Sequence, residues 1–228
     1  MGKIREGIKE KQRIVIKIGS SSLLHEETGG VDFRKLEKLV RIICDLKNQN
    51  KDVVLVSSGA IGVGFQALGL KSKPKTLSLK QACAAVGQGQ LMMVYQKLFA
   101  EYNQTMAQIL MTKNTILDNL NRYNAHNTFS ELLKLGVIPV VNENDTISVT
   151  ELMFTDNDEL SGMVATMMGA EKLIILSNID GIYNGKPGEP GVSVIPQVFP
   201  GKRDLSAYIQ TTKSSFGRGG MQTKTNIA

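Results

Sequence analysis

Five short apolar runs recur along the chain, and the stretches between them are long enough to hold helices. The runs are Ile14–Ile18, Val53–Val56, Ala107–Leu110, Val137–Val141 and Leu173–Leu176. Runs of this length, mostly rich in β-branched residues, are typical of strands buried on both faces of a parallel sheet. Their alternation with helical spacers predicts an α/β fold built on a mostly parallel sheet.

Apolar residues spaced three and four apart predict the helices between the strands. The clearest pattern runs from Phe33 to Leu46 and follows Asp32, a residue type that commonly caps a helix. Three more helices are predicted at Lys80–Tyr102, Asn121–Leu135 and Thr155–Ala170. A loop at Gly185–Gly191, flanked by short apolar runs, predicts a β-hairpin.

Composition sets broad limits on the class of protein. With 228 residues, 42% apolar and 21% charged, the chain suits one large globular domain or two small ones. Cys44 and Cys83 fall in apolar helical patterns, so we expect reduced core residues, and with only His25 and His126 beside them a zinc site has too few ligands. The charged N-terminus and the lack of a long apolar stretch predict a cytoplasmic protein without a signal peptide or membrane span.

The net charge of +6 is unevenly spread. Residues 1–17 carry six basic residues against two acidic ones, residues 201–228 carry five against one, and residues 135–171 hold seven acidic residues and no basic one. Basic ends and an acidic middle suit a site that handles polyanions and a metal ion. The same asymmetry is also the usual pattern of solvated surface charge, so both interpretations stay open.

The first strand carries a chemical signal at its end. Lys17 interrupts the buried pattern and is followed by Gly19 and three serines. Lysine is almost never fully buried without a partner, so Lys17 either extends to solvent or points into a mouth that holds an anion or a carboxylate. Taken alone, extension to solvent is the commoner case. Ligand crevices of open α/β sheets lie at the carboxyl ends of strands, which favours the second interpretation here.

Two further segments are rich in small residues. Ser57–Gly64 follows the second strand and lets backbone N–H groups approach a ligand, or equally lets a helix pack tightly on the sheet. It fits a dinucleotide fingerprint only loosely and has no acidic residue at the spacing a ribose requires, so we reject that interpretation. Ala84–Gln90 is similarly rich in small residues but lies within a predicted helix, which indicates close helix packing.

Acidic residues cluster after the fourth strand, at Asn142–Thr146, and at the start of the last predicted helix, at Asp156–Glu159. Asp156 and Asp158 suit a helix N-terminus, so capping is one role. Converging carboxylates would alternatively hold an ammonium group, fix a lysine or help to bind Mg²⁺. Further on, Phe216–Lys224 is a glycine-rich turn before a helical pattern, a phosphate-cradling arrangement that is not a Walker A loop.

Taken together and in this order, these segments resemble the amino-acid kinase family over nearly the whole chain. The matching segments are Lys17–Ser20, Ser57–Ile61, Ala84–Gln88, Asn142–Asp145, Asp156–Asp158 and Gly219–Lys224. The second, fourth and fifth of them favour the branch of the family that phosphorylates L-glutamate. The resemblance implies a three-layer αβα sandwich with a C-terminal β-hairpin on the nucleotide side. It also implies ATP-dependent phosphorylation of the γ-carboxylate of L-glutamate, the first step of proline synthesis.

The resemblance implies roles for individual residues. Lys17 and Lys224 would flank the transferring phosphoryl group, and Asp158 would lie between them and orient both. L-Glutamate would be held by Ser58, Asp145 and Asn157. ATP, with Mg²⁺ carried on its phosphates, would be lined by Lys17, Gly19, Ser177, Asn178, Arg218, Gly219, Gly220, Met221, Gln222, Thr223 and Lys224. Ser177, Asn178 and Arg218 depart from the residues usual in the family, which weakens the match there.

For the whole chain, the resemblance implies one domain over residues 1–228, with an acceptor half at about 1–168 and a nucleotide half at about 169–228. We expect that half to lack its last elements, and we expect no C-terminal RNA-binding-like domain. The family also implies a homo-oligomer, either dimer or tetramer, and feedback inhibition by proline. The amphipathic stretch Ile116–Phe129 would form either an oligomer contact or part of the core.

Three alternatives remain open. In the first, the protein is another kinase of the family, whose acceptor is acetylglutamate, aspartate, carbamate or uridylate, since such kinases share the lysines and glycines. A ligand sensor without turnover is a second alternative, although Lys17, Asp158 and Lys224 together argue against it. RNA binding through the basic stretch Lys71–Lys80 is a third, but this stretch lacks interleaved aromatic residues. We therefore expect neither nucleic acid nor a membrane as a partner.

Overall fold

A sheet of five parallel strands forms the centre of the protein. The computed structural model describes residues 10, 12–25, 27–148, 154, 156–186 and 188–198. The strands are β1 (Arg13–Ile18), β2 (Asp52–Val56), β3 (Met106–Met111), β4 (Ile138–Glu143) and β5 (Lys172–Leu176). Their order is β3-β4-β2-β1-β5, and every pair of neighbours is parallel. All five predicted strands are confirmed, with ends within one or two residues of those predicted.

Seven helices occur in the described part of the chain. They are α1 (Ser20–Leu23), α2 (Phe33–Asn48), α3 (Ala60–Ala67), α4 (Leu77–Ala100), α5 (Lys113–Leu117), α6 (Asn119–Lys134) and α7 (Asn157–Met167). The four helices predicted from periodicity are α2, α4, α6 and α7, and the small-residue segment after β2 leads into α3. Within the described ranges, none of these helices has the length and apolar character needed to cross a lipid bilayer.

Strand residues alternate between two hydrophobic cores, one on each face of the sheet. Ile14, Ile16 and Ile18 of β1 pack with buried residues of α2 and α4. Val15, between them, packs in the opposite core with residues of α6 and α7. Helices therefore cover both faces, and the three-layer αβα sandwich is confirmed. The same alternation puts Lys17 on the face that carries α7.

Side-chain caps fix where the long helices begin. Asp32 accepts a hydrogen bond from the backbone N–H of Lys35 at 3.1 Å, which confirms its predicted capping role at α2. Thr76 caps α4, so this helix begins three residues before the predicted start at Lys80. Leu77 is exposed, so it does not extend the apolar periodicity to the start of the helix.

The apolar pattern does not predict the two shortest helices. The serine segment after β1 forms α1, where the N–H groups of Ser22 and Leu23 both donate to the carbonyl oxygen of Gly19 at 3.1 Å. Leu23 is fully buried and anchors this turn. α5 begins at a capping box formed by Thr112 and Thr115. Neither helix is long enough to show an apolar repeat.

The predicted hairpin near the C-terminal end is present as a short antiparallel pairing. Tyr183 and Val194 form a bridge, and the N–H of Ile195 donates to the carbonyl oxygen of Ile182 at 2.7 Å. Gly191, in the connecting loop, has a φ of +79°, which favours glycine. The hairpin is therefore confirmed in place and direction.

Both cysteines are free and buried, as predicted for core residues. Burial raises the pKa of the Cys44 thiol to about 11, so it stays protonated at neutral pH. Cys83 lies in α4, and burial raises its pKa as well. Neither thiol has the low pKa of a reactive cysteine.

Candidate functional site

The carboxyl ends of the parallel strands meet along one edge of the sheet, and the predicted site residues that the structure describes lie at or near these ends. β1 and β5 pair in a register that places Ile18 beside Leu176. Gly19 and Ser177, the next residue along each strand, therefore lie at the same edge. This is where α/β sheets commonly bind ligands.

A buried ion pair joins the end of β1 to the start of α7. Nζ of Lys17 lies 2.5 Å from Oδ1 of Asp158, and only 7% and 1% of the two side chains are exposed. Lys17 thus points into the fold toward a carboxylate, and the interpretation that it extends to solvent is wrong. A Cβ at Gly19 would lie 3.3 Å from this Nζ, so the glycine backbone passes directly beside the ammonium group.

Asp156 caps α7 and brings a second carboxylate close to the ion pair. Its Oδ1 accepts hydrogen bonds from the N–H groups of Asp158 at 2.9 Å and Glu159 at 3.1 Å. Its Oδ2 is buried and has no hydrogen-bond partner among the described residues. Burial, followed by the negative charge of Asp158, raises the pKa of Asp156, and the charge of Lys17 partly opposes this rise. Negative charge is therefore concentrated around one lysine.

The loop after β2 is held in a fixed conformation. Ser57 donates its backbone N–H to the carbonyl oxygen of Val141 on β4 at 2.8 Å, and its hydroxyl lies 2.9 Å from the phenol oxygen of Tyr95 on α4. Tyr95 is fully buried, and burial raises its pKa, so the phenol stays protonated. Gly59 has a φ of +97° and forms the N-cap of α3. The loop presents Ser58 on an ordered backbone.

Asn157, the first residue of α7, ties this helix to the ends of β2 and β4. Its Nδ2 lies 2.7 Å from the carbonyl oxygen of Ser57, 3.0 Å from Oγ of Ser58 and 2.8 Å from Oδ1 of Asn142. These contacts use the donor atom of the amide and not its oxygen. Ser58 and Asn157, both predicted to hold the acceptor substrate, are therefore neighbours in the fold.

The other predicted site residues follow the same strands or lie outside the described residues. Asp145 is half-buried in a turn directly after β4. Ser177 and Asn178 are exposed and follow β5. The glycine-rich turn and the second predicted lysine, Arg218–Lys224, lie outside the described residues. Among the described site residues, Gly19 and Asp158 lie against Lys17, and Ser58 and Asn157 contact each other.

Asn142 and Gln88 belong to this site, although the sequence pattern gave neither of them a separate role. Asn142 is buried, its Nδ2 donates to Oε1 of Gln88 at 2.8 Å, and its Oδ1 accepts from the N–H of Glu143 at 2.9 Å. Gln88 lies in the segment predicted to pack closely, and its partner is 54 residues away in sequence. The available signal was an amide at the end of a buried strand, beside residues that already matched the family.

The described residues supply positive charge, a carboxylate turn and neutral hydrogen-bonding groups at one edge. The ammonium group of Lys17, held by Asp158, can stabilise further negative charge on a phosphate-sized anion. Ser58, Asp145 and Asn157 suit a small molecule that carries both an ammonium and a carboxylate group. Within the described ranges, no group of three or more His, Cys, Asp or Glu side chains could hold a metal ion. Orientation and charge stabilisation of this kind are what phosphoryl transfer requires.

This fold is shared with a known class of proteins. The family model described as "Amino acid kinase family" matches residues 12–228, and the chain belongs to that family. The fold is also that of the UMP kinase from Bacillus anthracis, with a TM-score of 0.53 and 14% identity, covering 81% of this chain and 72% of that one. Membership confirms the resemblance seen in the motifs.

Within the family, the chain is similar to glutamate 5-kinases. It is 49% identical to the glutamate 5-kinase of Bacteroides thetaiotaomicron over 219 residues, which are 96% of this chain. It is 44% identical to the glutamate 5-kinase of Clostridium perfringens over 230 residues, covering 99% of this chain and 85% of that relative. The chain spans 60% of the length of the Bacteroides relative.

Proposed function

We propose that the protein transfers the γ-phosphoryl group of ATP to the γ-carboxylate of L-glutamate, giving γ-glutamyl phosphate and ADP, the first step of proline synthesis. The observation that carries the proposal is the buried Lys17–Asp158 pair at the same sheet edge as the Ser58–Asn157 contact. The similarity to glutamate 5-kinases supports L-glutamate as the acceptor.

Ser58, Asp145 and Asn157 would hold L-glutamate. The carboxylate of Asp145 suits the ammonium group of an amino acid through a charge-assisted hydrogen bond. Oδ1 of Asn157, which its three described contacts leave unused, offers a second acceptor for that ammonium group. Oγ of Ser58 accepts from Asn157, so its own proton can be donated to a carboxylate oxygen.

Lys17 would stabilise the charge of the transferring phosphoryl group, and Asp158 would keep the lysine in place. Gly19 supports this role, since any side chain at that position would lie against the ammonium group. Lys224 would supply the second positive charge, and Ser177, Asn178 and Arg218–Lys224 would line ATP. The family resemblance supports these last assignments, together with the division into an acceptor half and a nucleotide half. Mg²⁺ carried on the phosphates would neutralise part of their charge.

A homo-oligomer and inhibition by proline belong to the same proposal on the strength of the resemblance. Leu117, Leu120 and Tyr123 are exposed, whereas Phe129 in the same stretch is fully buried. If part of Ile116–Phe129 contributes to an oligomer contact, it is the first part. The mass of the protein in solution tests this assignment.

The test of the proposed reaction is ADP release from Mg²⁺-ATP with a panel of acceptors, with hydroxylamine present to trap an acyl phosphate. The panel contains L-glutamate, N-acetylglutamate, aspartate, carbamate and UMP. We expect turnover, and a hydroxamate product, with L-glutamate alone. Turnover with another acceptor would leave the role of Lys17 in place but overturn the roles of Ser58, Asp145 and Asn157. ATP binding without turnover for any acceptor would overturn the proposed reaction.

A further inference from the structure

Gln88 is connected by hydrogen bonds to two residues of the acceptor site, although it lies in the opposite helical layer from α7. Its Oε1 accepts from Nδ2 of Asn142 at 2.8 Å, and Oδ1 of Asn142 accepts from Nδ2 of Asn157 at 2.8 Å. The three side-chain amides thus form a continuous chain from α4, past the end of β4, to the start of α7. Such a chain is possible at the strand ends because elsewhere the sheet separates the two layers.

Two backbone groups fix the direction of the amides in this chain. The carbonyl oxygen of Ser57 can only accept, so the atom of Asn157 that lies 2.7 Å from it is Nδ2. The backbone N–H of Glu143 can only donate, so the atom of Asn142 that lies 2.9 Å from it is Oδ1. Nδ2 of Asn142 therefore faces Gln88, which has to present Oε1. Neither asparagine side-chain amide can flip without losing a hydrogen bond to the backbone.

This arrangement leaves Nε2 of Gln88 as a buried donor without a partner among the described residues. Gln88 is only 8% exposed. A buried amide donor without a partner destabilises a fold, and a methionine of similar length would avoid this cost. A glutamine at this position is therefore explained by the acceptor atom that it offers to Asn142.

We propose that Gln88 is a positioning residue of the acceptor site. It holds the amide of Asn142, which in turn holds Asn157 in contact with Ser58, so that the surfaces that bind the acceptor keep one orientation. Because Gln88 is buried behind Asn142, it acts through that residue and does not touch the substrate. The identity of the acceptor rests on the proposed function, whereas the amide chain does not.

The kinetic test compares Gln88→Met with Gln90→Met, a control on the same helix whose side chain is exposed. Gln88→Met removes the acceptor atom and keeps the length of the side chain. We expect the KM for L-glutamate to rise roughly tenfold, the effect of one lost hydrogen bond. The KM for Mg²⁺-ATP and kcat should stay within about twofold, and the control should resemble the wild type. An unchanged KM for L-glutamate would overturn the proposal. So would changes of equal size in the KM for L-glutamate, the KM for Mg²⁺-ATP and kcat.

A second measurement judges Gln88 independently of the reaction. Side-chain amide resonances of Asn142 and Asn157 are recorded by NMR in ¹⁵N-asparagine-labelled protein and assigned with Asn142→Ala and Asn157→Ala. We expect both amides to shift and to exchange hydrogen faster in Gln88→Met, and to be unchanged in Gln90→Met. If the wild type does not phosphorylate L-glutamate, the proposed function fails and these spectra still decide the role of Gln88. Unchanged resonances in Gln88→Met would refute it.

Discussion

The ammonium group of Lys17 is costly to bury in the fold, and the same charge is proposed to act in the reaction. Four of the other five residues of β1 are apolar and buried, and only 7% of the Lys17 side chain is exposed. Asp158 compensates the buried charge of Lys17 by forming an ion pair with it. Removing one member of such a pair leaves the other charge buried, which commonly costs about 3–5 kcal/mol. Activity and stability are therefore coupled at this residue.

Lys17→Ala is expected to lower kcat at least about 100-fold, because it removes the charge that would stabilise the transferring group. The matched control is Lys38→Ala, an exposed lysine on α2 that should leave kcat unchanged. In the double variant Lys17→Ala with Asp158→Asn, the side chain at position 158 is no longer a buried carboxylate without its lysine, so it should be more stable in urea than Lys17→Ala while remaining at least about 100-fold less active than the wild type. Near-normal turnover by either variant, in protein shown to be folded, would rule out the assigned role.

At the scale of elements, α3 and α4 pack with their backbones in close contact. A Cβ added to Gly64 would overlap the carbonyl oxygen of Cys83, and a Cβ added to Gly87 would overlap the carbonyl oxygen of Ala60. The close helix packing predicted for Ala84–Gln90 is therefore confirmed. Because α3 begins directly after the Ser58 loop and α4 carries Gln88, this contact also sets the distance between two parts of the site.

Gly87→Ala is expected to lower the free energy of unfolding by at least about 2 kcal/mol, because the added methyl group overlaps backbone and not a flexible side chain. Gly89→Ala is the matched control, since a Cβ there meets nothing within 4 Å. Alanine in place of glycine in a helix should stabilise that variant by about 0.5–1 kcal/mol. Urea unfolding of both variants measures the difference. Equal stability of the two would show that α3 and α4 can separate at little cost.

At the scale of the whole molecule, the sequence predicts the layers better than it predicts the contacts between them. β1 is recognisable because Ile14, Val15 and Ile16 are all buried, one core taking the first and third and the other taking the second. The family motifs then place Lys17 and Asp158 in one site before any distance is known. Strands and amphipathic helices can be predicted because each repeats a local pattern.

The chain of amides through Gln88, Asn142 and Asn157 could not be predicted in the same way. Its members come from three elements, and Gln88 and Asn142 are 54 residues apart. Nothing local distinguishes the buried glutamine at position 88 from the exposed one at Gln90. The difference arises only when α3 and α4 pack and turn one side of α4 toward β4. Site residues that act through tertiary contacts are therefore the part that requires a structure.

The stability of the whole fold should depend on pH through Asp156. Its pKa is raised in the folded protein by burial and by Asp158, whereas in the unfolded chain an aspartate has a pKa of about 3.9. The folded state therefore binds this proton more tightly, and the contribution of Asp156 to the free energy of unfolding falls as pH rises from the unfolded pKa through the folded one. Ionised Asp156 opposes folding above that window.

Asp156→Asn tests this dependence without removing the cap, because the amide oxygen can still accept from the N–H groups of Asp158 and Glu159. We expect the variant to be more stable than the wild type in urea at about pH 8, and the advantage to shrink as pH is lowered toward about 4.5. Asp118→Asn, at the N-cap of α6, is the control. Asp118 is exposed, and among the described contacts none joins it to another carboxylate. A stability difference that grew as pH fell would show that the buried charge of Asp156 supports the fold, and that Lys17 outweighs Asp158 at this position.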